Sequence, residues 1–128
     1  MNAKTDRAVL VVEDDADLGD VVCMVLGAAG YAPVVAKDGR EALERLRDFR
    51  PRVILLDLMM PGMNGWELRA AQLRDPTLAK VPVVVMTGDG NAASKAAALE
   101  AADYLQKPID VPKLLRTMER YCGQSPSA

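Results

Sequence analysis

The sequence predicts an α/β protein in which helices cover both faces of a five-stranded parallel sheet. Short apolar runs alternate five times with segments whose apolar residues recur every three or four positions, which is typical of strands alternating with amphipathic helices. The runs are nearly continuously apolar, as in strands buried on both faces of a parallel sheet. The length of 128 residues, without repeats or long linkers, predicts one domain over residues 7–122 and a short polar tail at 123–128.

The first two strands and the helix between them follow this pattern. The first strand is expected at Ala8–Val12, and Asp15 should start the helix that follows. Gly30 is a typical C-terminal cap for that helix. The second strand, Ala32–Ala36, has Pro33 near its start, which suits a sheet edge because the missing N–H costs no ladder bond there. The apolar positions of the first helix are Leu18, Val21, Val22, Val25, Leu26 and Ala29.

The middle of the chain supplies the predicted central strand. Residues 52–57 are almost wholly apolar, so that strand should lie inside the sheet. Asp38 can cap the second helix. A third helix is expected at about 66–74, where the Asp75-Pro76 pair ends it. The inward positions of the second helix are expected to be Ala42, Leu43, Leu46 and Phe49.

Two further strand–helix units complete the pattern. The fourth strand is expected at Val83–Thr87 and the fifth at 103–107, with a mostly alanine helix at about 92–100 between them. Asp110 can cap the fifth helix. The buried stripe of that helix is expected to be Val111, Leu114, Leu115, Met118 and Cys122.

The composition excludes several classes of function. Sixteen basic and 18 acidic residues leave a net charge of −2, which is too small and too evenly mixed for a nucleic-acid-binding or membrane-surface protein. No apolar run is long enough for a membrane span, and the polar start is unlike a signal peptide. We therefore expect a cytoplasmic protein in which Cys23 and Cys122 are reduced core residues. The absence of histidine excludes histidine metal sites and Ser–His–Asp triads.

Polar side chains interrupt the apolar pattern where four strands end. Glu13 and Asp14 follow the first strand, while Asp57, Thr87 and Lys107 close the third, fourth and fifth. Because the carboxyl ends of parallel strands meet at one edge, these side chains should lie close together. At about 4 Å and an effective dielectric near 20, each like-charge pair costs on the order of 4 kcal/mol. Three carboxylates must therefore raise a pKa or bind a cation, and their oxygens favour Mg²⁺.

This cluster is suited to phosphoryl chemistry. A carboxylate can act as a nucleophile and become an acyl phosphate. Asp57 is the best candidate because it ends the central strand between the other groups. A metal ion and Lys107 would offset charge on the phosphoryl oxygens, and the Thr87 hydroxyl would donate a hydrogen bond to one of them.

Four segments, in this order, resemble the receiver domain of two-component response regulators. They read VVEDD at 11–15, LLDLMMPGMNG at 55–65, VMTG at 85–88 and YLQKP at 104–108. The resemblance covers nearly the whole chain, from residue 7 to residue 122. It implies a flavodoxin-like, doubly wound sheet with strand order 2-1-3-4-5. It also implies a signalling protein that promotes only its own phosphorylation and dephosphorylation, rather than an enzyme.

The resemblance implies a role for each residue of the cluster. Asp57 would accept a phosphoryl group from a phosphohistidine on a sensor histidine kinase or phosphotransfer protein. Besides Asp57, the ligands of Mg²⁺ would be Asp14 directly, Glu13 through water and the backbone carbonyl of Met59. Lys107 would pair with the phosphoryl group.

The resemblance also implies a conformational switch. Thr87 would move inward to bond the phosphoryl group, and the rotamer of Tyr104 would follow that movement. The Lys107–Pro108 bond is usually cis in such domains. The change would alter contacts with a downstream protein. We expect no direct contact with nucleic acid or membrane, and a monomer or weak dimer.

The chain departs from the family pattern between Thr87 and Lys107. This stretch is shorter than usual, and Glu100-Ala101-Ala102 replaces the usual glycine–alanine pair before the fifth strand. The departure affects the usual output surface, formed by the fourth helix, fifth strand and fifth helix, and leaves the chemistry intact. Met59 and Asp89 occupy positions that tune the lifetime of the phosphoryl group in the family.

Three other functions compete with this interpretation. A phosphatase of the haloacid dehalogenase type also phosphorylates a strand-end aspartate, but it needs a second acid at the position of Met59. A protein-interaction module that keeps the fold without phosphorylation would not need Asp57, Thr87 and Lys107 together. A flavodoxin-like nucleotide-binding protein would need a phosphate-binding loop after the first strand, where the acids repel phosphate unless a metal intervenes.

Overall fold

Five strands and five helices alternate along the part of the chain that the structure describes. The computed structural model describes residues 7–58, 65–88 and 90–122. The strands are β1 (Ala8–Val12), β2 (Ala32–Ala36), β3 (Val53–Asp57), β4 (Val83–Thr87) and β5 (Asp103–Gln106). The helices are α1 (Ala16–Ala28), α2 (Gly39–Asp48), α3 (Gly65–Arg74), α4 (Ala92–Ala98) and α5 (Val111–Cys122).

The strands form one parallel sheet in the order β2-β1-β3-β4-β5, which confirms the expected topology. β3 is central and each of its residues is buried, as its continuous apolar sequence predicts. β2 lies at one edge of the sheet and carries Pro33. Proline has no backbone N–H, and at an edge strand this costs no hydrogen bond of the sheet.

Alternate residues of each strand face opposite layers of helices. The helices α1 and α5 cover one face, where they pack on side chains such as Val11, Leu55 and Met86. The helices α2, α3 and α4 cover the other face, over side chains such as Leu10 and Leu56. Because both faces are closed by apolar packing, polar chemistry is confined to the two ends of the sheet.

The predicted helix caps are confirmed at three positions. An Asp15 side-chain oxygen accepts hydrogen bonds from the N–H groups of Asp17 and Leu18, at 3.0 and 3.2 Å, and caps α1. Asp38 accepts from the N–H of Glu41 at 2.8 Å and caps α2. Gly30 follows α1 with a φ of +93°, a left-handed conformation that glycine adopts without a Cβ penalty.

A few predicted details are wrong. Val111 is 41% exposed and does not belong to the buried stripe of α5, because it lies in the first turn of the helix, beside a surface groove. The fourth helix ends at Ala98 rather than near residue 100, since Glu100 adopts a φ of +56° that no α-helix contains. The third and fifth strands are each one residue shorter than expected.

Both cysteines carry free thiols in the apolar layer between α1, α5 and the sheet. Cys122 is buried and Cys23 is half-buried, and burial raises the pKa of the Cys122 thiol to about 11. No helix within the described part of the chain has the length and apolar character needed to span a bilayer. The tail at 123–128, Met59 and Asp89 lie outside the described residues.

Candidate functional site

The register of the sheet brings the strand-end residues together. Val12 pairs with Leu56, so Glu13 and Asp57 follow side by side, and Thr87 at the end of β4 pairs with Gln106. Two backbone hydrogen bonds continue the sheet past the strand ends. The Glu13 N–H donates to the Ala36 carbonyl at 3.0 Å, and the Lys107 N–H donates to the Thr87 carbonyl at 2.8 Å. The sheet itself therefore holds these side chains at one edge.

Three of the carboxylates meet at this edge. One oxygen from each of Glu13, Asp14 and Asp57 lies within 4.8 Å of the other two. Glu13 and Asp57 are buried, with exposures of 1% and 4%, whereas Asp14 is exposed. A set of carboxylate oxygens that is buried on one side and open to water on the other fits a hard divalent ion that keeps some of its waters.

Lys107 provides positive charge beside the two buried acids. Its Nζ lies 2.9 Å from Oε1 of Glu13 and 3.4 Å from Oδ2 of Asp57. Burial acts to lower the pKa of Lys107, but its contacts with Glu13 and Asp57 outweigh burial and raise it. The ammonium is therefore charged at neutral pH and available to an anionic group that enters the site.

Glu13 shows that one ammonium does not balance the cluster. Burial and the neighbouring Asp57 carboxylate raise the pKa of Glu13 to about 7, although Lys107 opposes the shift. Its Oε1 contacts the ammonium as an ion pair but has no hydrogen bond of good geometry within the described residues. A buried acid whose pKa is raised beside a second buried carboxylate is consistent with a site that binds a further cation.

The cluster forms the floor of an open cavity of about 590 Å³. Thr87 is buried and lines this cavity together with the three acids. The cavity is lined by Glu13, Asp14, Asp15, Asp57, Thr87, Gly88, Lys95 and Lys107. Lys95, in α4, is a second ammonium at the site that the sequence did not indicate. Its alanine-rich helix gives no periodic signal from which its direction could be inferred.

Gly65 lets α3 pack closely against the end of β3, where Asp57 lies. Its N–H donates to the Leu58 carbonyl at 3.1 Å, and a Cβ at this position would lie 2.7 Å from the Leu58 Cα and 2.9 Å from the Asp57 carbonyl oxygen. Only glycine permits this close approach of α3 to the end of β3. The importance of Gly65 for the site was not recognised from the sequence.

The expected switch residues lie on neighbouring strands. Tyr104 in β5 pairs with Val85 in β4, two residues before Thr87. Tyr104 is half-buried, and the Nζ of Lys113 lies 5.7 Å from the centre of its ring. The Lys107–Pro108 bond is cis, as expected.

An apolar groove of about 550 Å³ adjoins the cavity between α1 and α5. Asp15 and Lys107 border both spaces. Most of the groove is lined by aliphatic side chains, among them Leu18, Val21, Val22, Val25, Ile109, Val111 and Leu114. Val21 is 53% exposed, so the groove presents apolar surface to any protein that approaches the acidic cluster.

Comparison with known proteins identifies the family. The model of the response regulator receiver domain matches residues 9–119. The DNA-binding response regulator MtrA of Mycolicibacterium paratuberculosis is 38% identical over 111 residues, and the phosphate regulon transcriptional regulatory protein PhoB of Escherichia coli is 37% identical over 111 residues. Each match covers 85% of this chain and 48% of the relative, so the chain spans about half the length of the curated relatives it matches.

Solved structures share the fold. A putative response regulator from Chloroflexus aurantiacus has a TM-score of 0.84 and 28% identity, covering 92% of this chain and 98% of that one. The receiver domain of the sensor histidine kinase PA1611 from Pseudomonas aeruginosa has a TM-score of 0.83 and 25% identity with the same coverage, and it holds a magnesium ion in its active-site cleft. With its strand order and acidic cluster, the chain belongs to the receiver domain family of two-component response regulators.

Proposed function

We propose that Asp57 is the phosphoacceptor and that Mg²⁺ is held by Asp57, by Asp14 and, through water, by Glu13, with the Met59 carbonyl as a further ligand. The observation that carries this proposal is the convergence of three carboxylates within 4.8 Å of one another. Lys107 lies beside two of them. This arrangement combines a nucleophile with the positive charge that a phosphoryl group requires.

Each residue has a distinct part in the proposed reaction. A carboxylate oxygen of Asp57 attacks phosphorus and forms a P–O bond, while the P–N bond of the donor phosphohistidine breaks and its electron pair returns to the imidazole nitrogen. When bound, Mg²⁺ offsets negative charge on the phosphoryl oxygens. Lys107 contacts one of these oxygens and keeps its proton throughout. The Thr87 hydroxyl donates a hydrogen bond to another.

The same hydrogen bond accounts for signalling. Thr87 is drawn toward the phosphoryl group, and the half-buried Tyr104 on the neighbouring strand follows. The surface of α4, β5 and α5 changes with it, and so do its contacts with a downstream protein. In this proposal the domain promotes only its own phosphorylation and dephosphorylation, and it acts on its target through protein contacts in the cytoplasm.

We infer that the phosphodonor is a protein, either a sensor histidine kinase or a phosphotransfer protein, and that it docks on the groove between α1 and α5. The groove borders the acidic cavity at Asp15 and Lys107. A protein seated on it brings its phosphohistidine to Asp57. The exposed aliphatic side chains of Val21 and Val111 in the groove favour a partner surface that is itself apolar.

The test is phosphoryl uptake by the Asp57→Asn variant, with acetyl phosphate as donor and Mg²⁺ present. We expect uptake to fall to background, because an amide cannot form the acyl phosphate. The matched control is Asp20→Asn, which removes one exposed acid from α1 and should leave uptake unchanged. Uptake that persists in Asp57→Asn contradicts the assignment, and uptake that survives thorough chelation by EDTA contradicts the proposed metal.

A further inference from the structure

The charge of the chain is unevenly distributed. Residues 45–52 and 74–80 together contain six basic and two acidic side chains, whereas the remaining sequence contains ten basic and sixteen acidic ones. These two segments run from the ends of α2 and α3 toward the starts of β3 and β4. They therefore lie at the amino ends of the strands, on the opposite side of the sheet from Asp57. A cationic end thus faces away from the acidic one.

A shallow crevice of about 260 Å³ opens at this cationic end. It is lined by Pro51, Arg52, Lys80, Val81, Pro82 and Tyr121. Its position is held by the sheet, because the Arg52 N–H donates to the Ala8 carbonyl at 2.8 Å and the Ile54 N–H donates to the Pro82 carbonyl at 3.0 Å.

Neither of the two cationic side chains that line the crevice is paired with an acid in the described part of the chain. Arg52 and Lys80 are exposed, and neither forms an ion pair or a side-chain hydrogen bond within the described ranges 7–58, 65–88 and 90–122. Two nearby acids are already engaged. The Asp75 carboxylate accepts hydrogen bonds from the N–H and Oγ1 of Thr77 at 2.9 and 2.8 Å, and Asp103, which contacts the Tyr121 hydroxyl, pairs with Arg120 at 2.9 Å. The positive charges of Arg52 and Lys80 are therefore available to bind acidic groups of another protein.

The remaining walls of the crevice are apolar and preformed. Tyr121 is held in place by its hydroxyl, which donates to the Ala102 carbonyl at 2.9 Å, and Pro51 and Pro82 restrict the backbone. The volume is below the roughly 300 Å³ at which small-molecule pockets begin, so it suits one side chain of a docked polypeptide. Exposed cations around a small apolar floor are complementary to acidic residues that flank an aliphatic one.

We propose that this crevice is a docking site for an acidic polypeptide segment of a partner protein, with an aliphatic side chain against Pro51 and Pro82 and its acids against Arg52 and Lys80. Nucleic acid is a poorer fit, because its binding requires neutralisation of many phosphates along a stripe, and only two uncommitted cations line this crevice. Since the crevice is at the far end of the sheet from Asp57, docking does not depend on the proposed phosphorylation.

The experiment is a titration of the protein with a short peptide in which glutamates flank leucines, followed by two-dimensional NMR at low ionic strength. We expect amide shifts confined to the residues with an N–H around the crevice, namely Arg50, Arg52, Val53, Ala79, Lys80, Val81 and Tyr121. Replacing both cations, Arg52→Ser with Lys80→Ser, should weaken binding by about tenfold, as two exposed charge pairs allow. The control pair Lys37→Ser with Arg40→Ser removes the same charge from exposed positions elsewhere and should leave the affinity unchanged.

Several outcomes overturn the proposal. They are an absence of shifts, shifts spread over the surface, equal weakening in both double variants, or a labelled oligonucleotide that binds the crevice more tightly than the peptide. A dimer detected by sedimentation and lost in the Arg52→Ser, Lys80→Ser variant also overturns it, because a second copy of the chain would then occupy the crevice. The Asp57→Asn variant should bind the peptide as the unaltered chain does, so failure of docking and failure of phosphoryl uptake are separate results.

Discussion

Gly65 determines how closely α3 approaches the strand that carries Asp57. The atoms nearest to a Cβ at this position would be the Leu58 Cα and the Asp57 carbonyl oxygen, and both belong to the backbone, which cannot rotate away as a side chain can. Gly27 in α1 is different. A Cβ on Gly27 would meet nothing within 4 Å, so this glycine only adds conformational freedom to the unfolded chain.

These two glycines should respond in opposite directions to the same substitution. Gly65→Ala forces α3 away from β3 and should lower the free energy of unfolding by about 1–3 kcal/mol. Gly27→Ala should raise it by about 0.5–1 kcal/mol, because alanine favours the helix and nothing opposes its methyl group. Urea unfolding followed by circular dichroism measures both. A Gly65→Ala variant as stable as the unaltered chain would show that the close contact is not a constraint.

The proposed Mg²⁺ site predicts that the stability of the chain depends on Mg²⁺. A ligand that binds only the folded state stabilises it, by about 2.7 kcal/mol at a hundred times its dissociation constant. We expect Mg²⁺ to raise the melting temperature of the unaltered chain and of Asp20→Asn. In Asp57→Asn most of the effect should be lost, since one of three converging carboxylates is gone. Equal Mg²⁺ stabilisation of all three proteins would place the ion elsewhere.

Single residues of the site differ in how well the sequence predicts them. Glu13, Asp57 and Lys107 were predictable because each is a charged residue at the end of an apolar strand, and parallel topology brings such ends together. Lys95 was not, because a helix rich in alanine has no apolar stripe to show which side faces the cavity. The direction of a side chain on such a helix depends on tertiary packing.

At the scale of elements, α3 and α4 are joined by a buried polar network that the sequence does not reveal. Arg69 donates from Nε to the Leu99 carbonyl at 2.9 Å and from Nη2 to the Glu100 carbonyl at 2.7 Å. It also donates to Gln72 at 2.7 Å. These bonds satisfy carbonyls beyond the end of α4, where Glu100 has its positive φ. In the sequence, Arg69 looks like an arginine on the exposed face of a helix. It is buried because it binds carbonyls of residues that are distant in the sequence.

The groove between α1 and α5 yields a prediction about the phosphodonor. Val21→Glu places a charge in the apolar groove and should slow phosphoryl transfer from the cognate kinase or phosphotransfer protein by at least about tenfold. Uptake from acetyl phosphate should stay unchanged, because Val21 is exposed and outside the acidic cavity. Leu73→Glu, an exposed apolar position on α3, is the matched control. Slowing by both variants alike, or by neither, would remove the groove from the proposed docking surface.

At the scale of the whole molecule, the parallel sheet separates two kinds of surface. The carboxyl ends of the strands carry the acidic cluster with Lys107, and the amino ends carry the cationic crevice with Arg52 and Lys80. The fold class was predictable because five apolar runs alternating with helices allow few arrangements, whereas the strand order followed from the resemblance to receiver domains. The crevice was not predictable, since its residues come from separate loops and from α5, and no sequence pattern shows that those loops meet.

The most direct test of the central claim is to locate the phosphoryl group itself. The unaltered chain is incubated with a phosphohistidine donor protein or acetyl phosphate and Mg²⁺, the acyl phosphate is reduced with borohydride, and the peptides are sequenced by mass spectrometry. We predict a single modified residue, Asp57, whose modification disappears when Mg²⁺ is withheld. Modification of another residue would contradict the proposal that the carboxylates and Lys107 form a phosphoacceptor site. So would the absence of any modification when the donor is fully phosphorylated.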